Sequence, residues 1–458
     1  MINFRKTIAL CITLTWLFTL LTPDGLSAIT IQEEKKLADE FLRVVHNQYK
    51  IIEDPAIADY INRVGQRIVS ELPQQPFTYH FYVIEKDAYN AFASPAGHIF
   101  VFSGLFAALD HEGELAALLA HEIAHAACRH ISEMIESSKK TSLGTLAGIA
   151  AGILVGLGGA STLGSAIGIG SMAAGESATL AYTREKEMQA DQLGREYLVK
   201  AGYDLHSMLS LLETIRSQEW FGTDQVPTYL RTHPATEDRL TYLANTLSNK
   251  PAPPPTDTYG FKRAHTRVIA LHENPQKAQK QFRQSLDAHP NSPMRHYGFG
   301  LALEKNGNPK AAVKHLEIAF NAHPNDPYIT EDLGRIYFLN GKYEKASDIL
   351  QTFSRQSKSG PEGLFYLGRS QLALGRLSTA TKTFNRLVEA YPDYLPAFYF
   401  LGKSYSEQNQ PGRAHYNLGL YHLGKHDREN AAFHFRQALK SITDAEEVEK
   451  IKMLLEKL

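Results

Sequence analysis

The chain has 458 residues, a formal net charge of −1 and 43% hydrophobic residues, enough for two or three domains with sizeable cores. Balanced charge with no basic stripe and no acidic tail excludes a nucleic-acid-binding protein, and a globular composition excludes wholesale disorder. Of its 2 cysteines, Cys11 lies in the opening segment, so the remainder has no internal disulfide.

Residues 1–28 carry Arg5 and Lys6, an apolar run from Thr7 to Leu21, and Leu26-Ser27-Ala28. These are the parts of a cleaved secretory signal peptide. The run is short for an uncleaved anchor, the competing reading. Bulky Leu10 before Cys11 argues against lipidation. Ile31–Tyr49 and Ile57–Leu72 alternate charged and apolar residues at helical spacing, whereas Phe77–Ile84 and Gly97–Phe102 are rich in β-formers and predict strands. A strand at the sheet edge could pair with an extended peptide; a sheet merely packed under helices is the other reading.

Leu115–His130, LAALLAHEIAHAACRH, predicts a buried helix with no Gly or Pro. Its HExxH sets the imidazoles of His121 and His125 one turn apart on one face, where a tetrahedral Zn²⁺ takes its first two ligands. Glu122 is then placed to take a proton from an attacking water. Without a metal, such a helix would strand several buried polar groups. Cys128 on the same helix falls off the ligand face and is expected to be a small core residue.

Residues 141–175 contain no charged side chain and ten glycines, with Gly144, Gly148, Gly152 and Gly156 at every fourth position. Small residues at that interval permit close helix contact. Gly158-Gly159 break the segment into halves too short to span a bilayer. The expectation is a helical hairpin near the site or at a membrane surface. A transmembrane pair and a mobile lid are the alternatives.

Catalytic zinc needs a third protein ligand. In Thr183–Gly194, Glu187 and Asp191 are four apart on one helical face. Glu187 is assigned as that ligand, and Asp191 as the group that hydrogen-bonds a ligating imidazole and fixes its tautomer. Farther on, His233 precedes a proline; it either holds a transition-state oxyanion or occupies the water position of a resting site. Arg239 either polarises the same site or pairs with an acid. A stiff His-Pro loop and a surface arginine are the bland readings. His130 and His98 are placed outside the site.

HEIAH and EMQAD, with NAFASPAGHIFVFSG before and RTHPATEDRL after, resemble the zinc metallopeptidase family of the heat-shock membrane proteases and prenyl-protein endopeptidases. The signal peptide and helical repeats make the resemblance closest to that family's periplasmic branch acting in β-barrel assembly. The resemblance implies His121, His125 and Glu187 as zinc ligands and Glu122 as catalytic acid-base. It also implies substrates among misassembled outer-membrane proteins and partners in the β-barrel assembly machinery. The multi-span core of the integral-membrane members is absent.

Asn249–Pro255 is a stiff spacer that ends the catalytic domain. Beyond it a period of thirty-four links Gly300, Gly334, Gly368 and Gly402, and likewise Ala312, Ala346, Ala380 and Ala414, with Gly307, Gly341 and Gly375 at turns. The pattern resembles the tetratricopeptide repeat. Pro290, Pro324 and Pro392 share the register, and Lys358 stands where another proline is expected. Gly419 and Ala431 follow after half a period, so one helix near Arg413–Leu423 serves two repeats, and Val448–Leu458 caps the array.

The expected architecture is an α+β zincin-type metallopeptidase domain, mostly helical with a small sheet, followed by an all-α tetratricopeptide-repeat solenoid. The expected divisions are 1–28 signal peptide, 29–250 peptidase, 251–258 linker and 259–458 repeats. The expected function is a periplasmic endopeptidase with one zinc ion per chain, acting on extended protein substrates that the repeats recruit. Residues 141–175 are the expected place of any peripheral membrane contact. An assembly adaptor or chaperone with a silent metal site is the alternative.

Overall fold

The computed structural model describes residues 29–139, 182–217, 228–234, 236–247, 259–356 and 360–458. The expected signal peptide, glycine-rich hairpin, linker and Lys358 lie outside the described residues. The chain divides into two compact units, the first reaching to Thr258 and the second comprising Tyr259–Leu458 together with Asp54–Ile57.

In the first unit, Thr30 opens α1 (Ile31–Gln48) with a capping box: its hydroxyl accepts from the Glu33 amide, and the Glu33 carboxylate accepts from the Thr30 amide. Leu37, Phe41 and Val45 form the buried stripe of α1, and α2 (Pro55–Val69) follows. Strands β1 (His80–Ile84), β2 (Ala91–Ser94) and β3 (His98–Phe102) make one sheet with β3 central, parallel to β1 and antiparallel to β2. Two of these strands follow the sequence pattern. β2 does not, because a four-residue AFAS with no β-branched side chain gives no period-two signal. It is folded back on β3 by the 3₁₀ turn Pro95–Gly97, where Ala96 and Gly97 take left-handed φ of 58° and 85°. Tyr82, Phe100 and Phe92 stack across the three strands at 4.9 and 5.0 Å, and Phe41 joins them in one core. β2 is the edge that packs on the motif helix, and all four of its residues are buried. It is a covered strand rather than a solvent-facing one.

After the short α3 (Ser103–Ala108), the motif helix α4 runs Glu112–Ala127, and every residue from Glu114 to Ala126 is buried. Glu112 and Glu114 occupy its first turn, where carboxylates favour the helix dipole. They are fixed there: Glu112 accepts from Tyr60 Oη at 2.6 Å and Tyr203 Oη at 3.1 Å, and Glu114 accepts from the Asp110 amide at 2.7 Å. The helix ends earlier than the sequence implies. Arg129 takes φ 57°, the chain turns, and α5 (His130–Lys139) begins. Cys128 therefore caps this break half-buried instead of lying in the core.

The facing helix α6 (Arg184–Lys200) is capped by Thr183, whose hydroxyl accepts from the Lys186 amide. It packs on α4 at Gly194, where an added Cβ would lie 3.1–3.2 Å from the Ala120 carbonyl and the His121 Cα. Backbone cannot yield as a side chain can. Gly194→Val is expected to destabilise the chain by about 1–3 kcal/mol, read as a lowered denaturant midpoint; an unchanged midpoint would mean the two helices are free to separate. Helices α7 (His206–Ser217), α8 (Thr228–Thr232) and α9 (Thr236–Leu247) complete the described part of this unit.

The second unit is an array of paired helices from α10 (Tyr259–His272) to α21 (Ala445–Glu456). Its periodic glycines are contact points: a Cβ on Gly334 would sit 2.4 Å from Leu350, and one on Gly368 would sit 2.7 Å from Phe384. α10 and α11 (Pro275–Ala288) form a pair ahead of the first periodic glycine, with Ala278 in register but Thr266 where the glycine would fall. The array thus starts one pair earlier than the glycines indicate. Toward its other end α19 (Pro411–Gly424) packs on both α18 (Leu395–Glu407) and α20 (Arg428–Ala438), the shared helix that the half-period implies.

On α14 (Pro327–Leu339), burial together with the nearby Asp332 and Glu362 carboxylates pushes Glu331 up to about 8, against Arg267 and Arg335. Between the unfolded value of about 4.3 and that raised value, the folded chain holds a proton that the unfolded chain does not, so stability falls as pH rises. Glu331→Gln is expected to raise the melting temperature at pH 8.5 and leave it unchanged at pH 4. A shift of equal size at both pH values would count against this account. Among the described residues, no helix is long and apolar enough to cross a membrane.

Candidate metal centre

Every side chain singled out for chemistry converges at the junction of α4, α6, the turn after α8, and α9. His121 and His125 present Nε2 atoms 3.0 Å apart, a consequence of their one-turn spacing on a straight buried helix. From α6, Glu187 reaches both, with Oε1 at 3.3 Å from His125 Nε2 and Oε2 at 3.5 Å from His121 Nε2. His233 closes the group, its Nδ1 lying 3.3 Å from His121 Nε2 and 2.9 Å from Glu187 Oε1. All four are at most 1% exposed.

These four form a group that could hold a metal ion. At zinc–ligand distances of about 2.0–2.2 Å, the edges of a ligand tetrahedron are about 3.3–3.6 Å, and the donor separations of 2.9–3.5 Å lie close to that. Three imidazole nitrogens and a carboxylate converge on one buried point, where a cation would satisfy all of them at once. The donor set fits zinc.

His233 is carried in by its loop. Its amide donates to the Tyr229 carbonyl at 2.8 Å, and the Thr232 carbonyl accepts from the Tyr182 amide at 3.0 Å. The two tyrosines wall the centre: Tyr229 stacks on His233 at 4.3 Å and Tyr182 on His125 at 3.9 Å. Neither hydroxyl has a hydrogen-bond partner among the described residues.

Around this set lie the groups that orient it. His121 Nδ1–H donates to Asp191 Oδ1 at 3.0 Å, which leaves the Nε2 lone pair facing the centre. Asp191 is itself gripped by Arg239, with Nε at 2.7 Å from Oδ2 and Nη2 at 2.8 Å from Oδ1. Nη1 of the same guanidinium lies 2.8 Å from Glu187 Oε2, without hydrogen-bond alignment, so that contact is electrostatic. Burial alone would raise the Asp191 carboxyl, but Arg239 and the His121 hydrogen bond outweigh it and hold it at about 2. Glu187 is likewise held well below the carboxylate range, its burial outweighed by His233 and Arg239. Burial keeps His125 neutral, as a ligand must be. At His121, Asp191 and Glu187 overcome burial and Arg239 and raise the imidazole to about 9, so a bound cation must displace a proton there. Glu122 is fully buried with neither oxygen hydrogen-bonded among the described residues, and burial raises its carboxyl despite the His233 and His121 imidazoles. Its Oε1 stands 3.6 Å from His233 Nε2.

His130 is not in the donor group, but it touches a member of it. The helix break at Arg129 swings its ring back, so that His130 Nδ1 lies 2.9 Å from His125 Nδ1 while its Nε2 lies 3.0 Å from Gln189 Oε1. Only one pattern leaves His125 Nε2 free for a ligand: His125 Nδ1–H donates to His130 Nδ1, and His130 Nε2–H donates to Gln189. Face counting along one continuous helix could not find this. His98 is not in the donor group and stacks on His80 at 5.0 Å.

Residues 55–247 match the sequence model of Peptidase family M48, and 272–327, 297–361 and 332–394 match a tetratricopeptide repeat. The chain is 30% identical to the Beta-barrel assembly-enhancing protease of Yersinia pestis, over 55% of this chain and 52% of that protein. With the protein of the same name from Escherichia coli K12 it shares 29% identity over 54% of this chain and 50% of that one. The Mitochondrial metalloendopeptidase OMA1 of Schizosaccharomyces pombe is 27% identical over 46% of this chain and 60% of its own length. The chain thus spans about half the length of the bacterial relatives it matches. Residues 55–247, which carry the whole His121–Arg239 constellation, are the ones that match Peptidase family M48, and the tetratricopeptide-repeat matches follow them in the sequence.

Proposed function

We propose that the chain is a zinc-dependent endopeptidase, and the observation that carries this reading is the buried donor set of His121, His125, Glu187 and His233 beside Glu122, whose oxygens accept no hydrogen bond among the described residues. His121, His125 and Glu187 would hold a zinc ion there, which would supply Lewis acidity to a scissile carbonyl and acidify a water toward a pKa of ~7. Glu122 takes the proton of the attacking water and returns it to the leaving amine. Asp191 and His130 hold the imidazoles of His121 and His125 with Nε2 inward. Arg239 offsets the charge of Glu187 and Asp191, so that the ligands can stay buried.

His233 takes the place of the water in a resting site, the reading its 2.9 Å approach to Glu187 supports over that of an oxyanion donor. His233→Ala is therefore expected to raise hydrolysis of an unfolded protein several-fold; a fall would assign the oxyanion role instead. Zinc analysis tests the centre itself. One ion per chain is expected in the wild type and a small fraction of that in Glu187→Ala, and equal content in both would remove Glu187 from the ligand set.

The substrate class is extended protein, and the repeats recruit it or the partners that carry it. The bacterial relatives are named for enhancing β-barrel assembly, which supports a role beside that process; misassembled outer-membrane proteins as substrates and the β-barrel assembly machinery as partner are what the family resemblance implies. A periplasmic setting rests on the sequence of residues 1–28.

A further inference from the structure

The repeat array contains one arginine whose carboxylate partners, present one repeat earlier, are replaced by rings. On α14, Arg335 is ion-paired with Asp332 at 2.8 Å and, more closely, with Glu304 on α12 (Pro293–Lys305). Thirty-four residues on, the corresponding positions hold Arg369, Tyr366 and Phe338. The guanidinium recurs and both acids are gone.

Arg369 lies on α16 (Pro361–Ala373), half-buried. Its guanidinium carbon stands 4.4 Å from the ring centre of Phe338, 4.7 Å from Phe400, 5.3 Å from Phe365 and 5.6 Å from Tyr366. The rings satisfy the face of the cation. They offer nothing to its N–H edges, and among the described residues Arg369 makes no ion pair and donates no hydrogen bond. A planar fork of donors, with water thinned by aromatic walls, binds a carboxylate bidentately and more strongly than an open surface arginine would.

Next to it lies an apolar shelf. Phe400 also meets Tyr399 edge-on at 5.2 Å, and Tyr399 is 44% exposed with its ring against Tyr421 at 5.5 Å. Lys403 repeats the register of Arg369 one helix pair later, and its contact with Glu407 is a loose 3.9 Å between exposed side chains. The adjoining surface is aromatic, and the Glu362 and Glu304 carboxylates act on Tyr366 without pairing with Arg369 among the described residues.

We propose that Arg369, ringed by Phe338, Phe365, Tyr366 and Phe400, is the docking site for an Asp or Glu side chain of an extended protein segment whose neighbouring aromatic residue lies on Tyr399. The occupant is chosen by charge: Arg335 is met by the side-chain carboxylates of Asp332 and Glu304, whereas at Arg369 the rings of Tyr366 and Phe338 stand in their positions and leave the N–H edges to a carboxylate from outside the array. The inference rests on the recruitment reading of the repeats and is independent of the metal centre.

The test uses the full chain with Glu122→Gln, so that peptide is not consumed, and fluorescence anisotropy of a labelled, C-terminally amidated glycine–serine peptide holding one glutamate between two phenylalanines. Replacing that glutamate by glutamine is expected to weaken binding by about tenfold to a hundredfold, the range for a charge-assisted contact. Arg369→Gln should weaken it equally. The double change Tyr366→Asp with Phe338→Glu gives Arg369 the partners that Arg335 has. It is expected to abolish binding with the melting temperature unchanged or raised, which keeps the proposal testable if Arg369→Gln folds poorly. Equal affinity for the glutamate and glutamine peptides overturns the proposal, as does binding only by peptides with a free C-terminal carboxylate. Reduced, carboxymethylated lactalbumin separates the two readings: if the chain retains it irrespective of Arg369, recruitment stands and the Arg369 site alone is wrong.

Discussion

Glu122→Gln is expected to leave the fold and the zinc content of the chain unchanged while lowering peptide hydrolysis by about a hundred- to ten-thousandfold. The side chain makes no hydrogen bond among the described residues and stands 3.6 Å from His233 Nε2, so an isosteric amide keeps its packing and removes no hydrogen bond. It removes a carboxylate beside the donor cage that is neither a ligand nor held by Arg239. Burial raises the Glu122 carboxyl, which brings its basicity closer to what proton transfer near neutral pH needs. Glutamine cannot accept that proton. Hydrolysis by the variant at the wild-type rate, with zinc bound, would falsify the peptidase reading. Lost hydrolysis together with an intact cellular role would instead favour the adaptor reading, in which the repeats carry the function.

Much of this centre is legible in the chain because local periodicity fixes it. His121 and His125 must share a face of any helix, as must Glu187 and Asp191, and the buried run around HEIAH leaves them no exit to solvent. What the periodicity cannot carry is long-range. His233 reaches the centre through a loop whose path depends on a hydrogen bond between Tyr182 and Thr232, fifty residues apart. His130 reaches it through a left-handed Arg129, a conformation with no compositional marker because arginine rarely adopts it. β2 escapes for a related reason: AFAS becomes a strand only because β3 is beside it to pair with. In the repeats, small residues at a fixed interval reveal the helix pairs, and the first pair hides where Thr266 breaks the glycine pattern.

Arg239→Leu is expected to destabilise the metal-free chain by about 3–5 kcal/mol, the cost of leaving a buried ion pair half-emptied. Arg239 is 5% exposed and is held bidentately by Asp191, with Glu187 2.8 Å away, so its removal strands two buried carboxylates together. The surface pair of Arg184 and Asp238 is the contrast. Its side chains are 76% and 74% exposed at 3.6 Å, and Arg184→Leu should cost less than about 1 kcal/mol. The acid limb of the stability curve gives a second readout. Asp191 is held at about 2 in the folded chain, against about 3.9 unfolded. Its contribution is therefore complete above about pH 4 and is lost as pH falls through 2. Without Arg239 that depression shrinks, so the variant should lose less stability than the wild type between pH 5 and pH 2. Asp191→Asn placed on Arg239→Leu should then recover part of the loss, because one of the two stranded charges is gone. Denaturant melts of EDTA-treated protein across that range measure all three effects. If Arg239→Leu melts like the wild type at pH 7, solvent is reaching Asp191 and Glu187, and the buried charge network does not stabilise the centre.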